Sequence, residues 1–160
     1  MNAAFLVPFG DALFAAIMDN SVARNSNLLN LVYDDCEDEV PNIFNERPDG
    51  SPEHPIPARY VVFDIPLGGR SAYVHGTDGD SKAEWLKFQA NAWATSGKRT
   101  SLQVMDAVIQ AIDGRDLYVS EHWGTVRMFK VGGVHPLEDV ISDVTMRGAF
   151  SRYEVLLLNS

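Results

Sequence analysis

Residues 85–114 read WLKFQANAWATSGKRTSLQVMDAVIQAIDG, and this stretch decides the fold class. In its first half Leu86, Phe88, Ala90 and Ala92 alternate with Lys87, Gln89, Asn91 and Trp93, the period-two pattern of a strand with one buried face. Trp93 falls on the polar side and is expected to stand exposed. In the second half Leu102, Met105, Ile109 and Ile112 recur at steps of three, four and three, which predicts one apolar helix face, with Gly114 placed to end it.

Working outward, RYVVFDIP at 59–66 predicts a strand from Arg59 to Ile65, its β-branched and aromatic run closed by Pro66 and Gly68-Gly69. The segment between them, about 68–83, is too long and polar for a tight hairpin turn and reads as a functional or mobile loop. Downstream, DLYVSEH, GTVRMFKVG and the terminal VTMRGAFSRYEVLLL read as strands, with GGVHPLEDVISD as the connection between the last two. Upstream, Phe9, Leu13, Ala16 and Ile17 predict a helix from Pro8 to Asn20, and Leu28, Leu29 and Val32 a short one from Asn25 to Tyr33. Strands and helices do not alternate as crossover units would require. The prediction is an α+β fold, a mainly antiparallel sheet packed with two or three helices (an α/β sandwich), in a single domain spanning 1–160.

The chain has 160 residues, 46% of them hydrophobic, enough to bury a core and too apolar for disorder. Its single Cys36 excludes an internal disulfide and suits a reducing compartment. No apolar run approaches the roughly 18 residues of a membrane helix. The N-terminal residues lack the basic start of a secretory signal and carry Pro8, Gly10 and Asp11, so they are expected to be mature structure. The formal charge of -9 disfavours a duplex-binding surface, since phosphate contacts need clustered Lys and Arg. The acid is local: Asp34 to His54 holds eight carboxylates and one Arg47. With Pro48, Pro52, Pro55 and Pro57 following, about 34–58 is expected to be a solvated acidic connector.

Chemical motifs are sparse. There is no nucleophile elbow, P-loop or dinucleotide turn, and no cofactor is expected. His54, His75, His122 and His135 lack metal-ligand spacing. The run Asp34 to Glu39 lacks the alternation that wraps a divalent cation, and in the DGDS turn at 78–81 Lys82 stands where a further oxygen ligand would be needed. Cys36 stands among Asp34, Asp35, Glu37 and Asp38, whose charge disfavours a thiolate, so it is expected to be a poor nucleophile. An enzyme is not expected; the competing reading is a small hydrolase whose site gathers dispersed His and Asp residues.

What remains is apolar surface. The terminal strand carries Phe150, Leu156 and Leu158 on one face and Ala149, Tyr153, Val155 and Leu157 on the other, so both faces need cover, from this chain or from another subunit.

The pieces PARYVVFDI, LKFQANAWATSGKRTSLQVMDAVIQAIDG and DVTMRGAFSRYEVLLL, about half of the chain, resemble the tail terminator or tail completion proteins of long-tailed bacteriophages. The acidic insert is longer than that family pattern leads one to expect. The resemblance implies a non-enzymatic virion protein, assembled in the host cytoplasm as a ring, commonly hexameric, on the head-proximal end of the tail tube. Its partners would be copies of itself, the major tail tube protein and the head-tail connector, with DNA passing through the lumen without sequence-specific contact. A connector adaptor or other minor tail protein is the nearest alternative. Interface candidates are Trp93, Arg152 and Tyr153 on the strands and Arg70, Tyr73, His75, Asp78 and Asp80 in the long loop, which would contact the tube.

Overall fold

The computed structural model describes residues 6–18, 28–32, 42–44, 46–65, 73–75, 81–121, 123, 125–141 and 143–158. In chain order these form α1 (Leu6–Met18), α2 (Leu28–Val32), β1 (Ile43–Phe44), β2 (Arg59–Asp64), β3 (Tyr73–His75), β4 (Ser81–Ala94), α3 (Lys98–Ile112), β5 (Asp116–Tyr118), β6 (Thr125–Ile141) and β7 (Val144–Leu158). The strands make one sheet in the order β1-β2-β4-β7-β6-β5, with β3 also on β4, and every pairing is antiparallel except the short β1–β2 contact. This is the α+β architecture the sequence predicts.

The helices cover one face. Phe88, Ala90, Ala92, Ala149, Tyr153 and Val155 of β4 and β7 pack with Val61 and Phe63 of β2 against α1, α2 and α3. Phe88 is the hub, 5.0 Å from the Tyr153 ring in a stacked pair and 5.5 Å from Phe9 of α1. Within this core Ser151 donates to the Tyr153 hydroxyl at 3.0 Å, so a buried hydroxyl pair is satisfied internally.

The face buried by α3 is turned from the predicted one. Val104, Met105, Val108, Ala111 and Ile112 are buried, whereas Leu102 is 39% exposed. The small residues Ser101, Ala107 and Ala111 let this side approach the sheet, a preference that a count of large apolar residues does not detect. Gly114, at φ 69°, follows the helix as expected of a terminating glycine.

Two predicted connections prove to be sheet. GGVHPLEDVISD is not a link between strands: β6 continues through Gly132, Pro136 and Leu137 to Ile141, a 17-residue strand, accommodating a register shift between Val131 and His135. Gly132 sits at φ 74°, a left-handed value that glycine adopts most readily, and such a bulge absorbs extra residues without ending the ladder. Ile141 then pairs with Val144, and Asp143 takes the left-handed φ of 64° suited to a tight hairpin. Likewise the long loop is shorter than 68–83, because β4 begins at Ser81 and Tyr73–His75 pairs with its start.

The proline-rich segment is a correction of a different kind. Pro48 and Pro57 are buried, Asn42 donates through Nδ2 to the Arg59 carbonyl at 3.3 Å, and Ile43–Phe44 adds to β2. Phe44 and Ile56 pack on a second cluster of Tyr60, Val62, Trp93 and Met146, on the sheet face opposite the helices. Extended, proline-fixed chain is able to cover a sheet face at low entropic cost while its described acids, Glu46, Asp49 and Glu53, stay exposed as expected. The acidic run at 34–39 lies outside the described residues.

Candidate interaction surfaces

Four surfaces follow from this packing, and the first centres on Trp93. The residue does lie opposite the helical face, as its alternation requires, but it is 6% exposed and not a free docking side chain. Its ring sits against Gly148, where an added Cβ would stand 2.7 Å from Trp93 Cε3. Over the ring lies the Arg47 guanidinium, 4.0 Å from the centroid. Arg47 also donates to Asp139 of β6 at 2.7 Å, and its Nε lies 3.5 Å from the Tyr60 hydroxyl, at the limit of hydrogen bonding. Its buried Nη2 has no hydrogen-bond partner among the described residues. Arg47 therefore clamps the proline-rich segment to the sheet. Burial pushes the Tyr60 phenol up, with Arg47 opposing, while the Val140 backbone N–H and then Arg47 hold the Asp139 carboxyl below its ordinary value.

The outer edge of this segment forms a cavity of about 690 Å³ lined by Phe44, Arg47, Pro48, Glu53, His54 and Ile56 among others. Asp49 on its rim is held below the usual carboxylate range chiefly by the Ser51 backbone N–H.

The second surface is the uncovered remainder of the outer sheet face. Arg152 is exposed there, its guanidinium 5.3 Å from the Phe150 ring, and His135 stacks on the same ring at 4.9 Å between centroids. Phe129 and Val131 of β6, 47% and 45% exposed, continue the strip. Arg152 is thus available for contact. Tyr153 is not: it faces the helices and is fully buried, so its aromatic ring serves the core. Of the other interface candidates, Tyr73 and His75 have a described backbone only, as members of β3, and Arg70, Asp78 and Asp80 lie outside the described residues.

The third surface is the exposed side of α1, with Leu6, Val7 and Phe14 at 43%, 73% and 40%. The fourth is the arm where β6 and β7 run past the helices, with Val140 59% exposed and an Arg147–Glu138 ion pair on the helix side of the sheet. Sequence reading missed the arm, since Ser142-Asp143 lacks the glycine that marks a two-residue hairpin turn. It also missed Arg47, since nothing local to NERPD indicates a stacking partner.

Among the described residues no group of three or more His, Cys, Asp or Glu could hold a metal ion, and no helix is long and apolar enough to cross a membrane.

The fold has a known counterpart. A chain in the virion of a native gene transfer agent particle superposes with a TM-score of 0.59 at 16% identity, covering 94% of this chain and 93% of that one. No protein-family model matches the sequence, and no curated protein matches it. At that identity the likeness establishes a shared fold across nearly the whole of both chains.

Proposed function

We propose that this chain is a structural protein of a phage-like virion and acts as its tail terminator: a ring that seats on the head-proximal end of the tail tube, ends tube growth and offers a joining surface to the head connector. The observation that carries this reading is the fold shared, over nearly its full length, with a virion chain. The exposed apolar strips on α1, β6 and the β6–β7 arm support it, because a monomer has no use for them and an assembly does. A ring also fits the task physically. Stopping a polymer requires one face that mates with the last tube subunit and another that cannot accept the next, and head-to-tail contacts that close after a fixed rotation supply both. The work of the protein is then docking, with no bond-making step.

The test is mass and location. Multi-angle light scattering should give a closed oligomer, with six copies the expected number, and electron microscopy of the protein mixed with tail tubes should place density at one tube end only. A monomer at every concentration, alone and with tubes, overturns the proposal. Binding to connector but not to tube assigns the chain to the adaptor role instead.

A further inference from the structure

α1 reads LVPFGDALFAAIM, with Asp11 its one charged residue, and a helix apolar on all sides belongs to an interior. Phe9, Leu13 and Ile17 are buried against the chain's own core, while Val7 and Phe14 on the flank away from it, and Leu6 in the first turn, are left exposed. Beside them run two shallow cavities of about 380 and 400 Å³ that reach Phe63, Asp64 and Ile65 at the C-terminal end of β2. The groove is lined by apolar side chains and by Asp11, which has no cationic partner among the described residues, whereas the Asp64 carboxylate turns to the other sheet face and accepts from Asn91 Nδ2 at 2.8 Å.

At the other end of β2, Arg59 pairs with Ala94, Ala94 with Arg147 and Arg147 with Glu138, and α3 starts directly beyond. Here Lys98, Arg99 and Leu102 are exposed at spacings that place them on one helix face, at the end of the sheet from which the arm with exposed Val140 extends. Lys98 and Arg99 have no anionic partner among the described residues. The molecule thus has an apolar surface with an unpaired acid, Asp11, at one end of β2 and an apolar surface with two bases at the other, roughly 17 Å of strand apart.

We infer that these surfaces are the two halves of a heterologous contact, the α1 groove of one copy receiving the Lys98–Arg99–Leu102 face and arm of the next. The contact rests on the ring reading above and assigns its subunit interface. Two different complementary patches on one chain are what a closing ring needs, whereas a two-fold dimer would need one self-complementary patch. Strand-to-strand joining through the β6 edge is disfavoured, since the bulge, Pro136 and the Glu138-Asp139 pair are devices that blunt an edge. Paired charges at such a contact set partner and register more than raw affinity.

Two variants test it in the full-length chain: Val7→Lys with Asp11→Lys, which makes both surfaces basic, and Lys98→Glu with Arg99→Glu, which makes both acidic. Each alone should assemble at least tenfold more weakly than wild type by sedimentation velocity at 0.15 M salt, with unchanged circular dichroism. An equimolar mixture should recover the wild-type mass, because acidic and basic copies can alternate around a ring of even number. Recovery cannot come from misfolded chains. Wild-type assembly by either variant alone, or two weakened variants that fail to complement, overturns this interface and leaves the ring reading standing. A wild-type chain that stays monomeric with and without tail tubes overturns both.

Discussion

Tyr153 shows how one side chain couples the core to solvent conditions. Its ring stacks on Phe88 and its hydroxyl takes the Ser151 hydrogen bond, and burial pushes the phenol from 10.0 up to about 12 despite that bond. The neutral form is therefore favoured in the fold. A group whose pKa is raised on folding contributes fully below its unfolded value and loses that contribution as pH climbs to its folded value, so the window is pH 10 to 12. Two units correspond to about 2–3 kcal/mol. We predict that urea denaturation of the wild type shows this extra loss across that window. Tyr153→Phe should cost about 1 kcal/mol at pH 7 for the lost hydrogen bond and flatten the alkaline decline. Equal alkaline slopes in the two proteins would show that another group controls it; the Tyr60 phenol, also raised by burial, is the next one to replace.

At the scale of elements, legibility follows from where the stabilising contacts lie. β4 was readable because its alternation is local and its buried face is wholly apolar, and the existence and C-terminal end of α3 were readable from spacing and Gly114. The continuation of β6 was not, because Gly132-Gly133 and Pro136 are ordinary loop signals and become strand residues only through pairing with β7 across the hairpin. Nor was the burial of Trp93, which depends on a segment some 40 residues away folding back over it. For the interaction surfaces, the two apolar faces of the terminal strand were legible, but the face with Ala149, Tyr153, Val155 and Leu157 is covered by the chain's own helices, and the exposed arm and α1 groove depend on which faces the fold leaves open. Arg47 tests the covering segment: it joins the segment to Trp93 at 4.0 Å and to Asp139 at 2.7 Å. Arg47→Ala should lower stability by about 1–3 kcal/mol and speed proteolytic cutting within residues 42–57. Arg47→Lys should fall between, since an ammonium keeps the charge but not the planar stacking. Unchanged cutting in Arg47→Ala would mean that the proline and Phe44 contacts alone hold the segment.

For the whole molecule the decisive quantity is the excess of 22 acidic over 13 basic side chains, a formal charge of -9 on each copy. A ring multiplies that charge, and the basic residues that the fold pairs, Arg47 with Asp139, Arg127 with Asp116 and Arg147 with Glu138, are neutralised at the surface rather than gathered into a stripe. Duplex binding needs the opposite, a cluster of cations that releases condensed counterions from phosphate. A channel that passes DNA without retaining it benefits from like charge, whose repulsion acts within about 8 Å of the wall at physiological salt. We therefore predict that the assembled protein leaves the fluorescence anisotropy of a labelled 30-base-pair duplex unchanged at 0.15 M salt up to concentrations of order 10 µM, at which a non-specific binder with a Kd of about 1 µM is already about nine-tenths bound. Retention at micromolar protein, weakening steeply with salt, would reveal a basic surface created on assembly and would rule out the freely sliding lumen that the ring proposal entails.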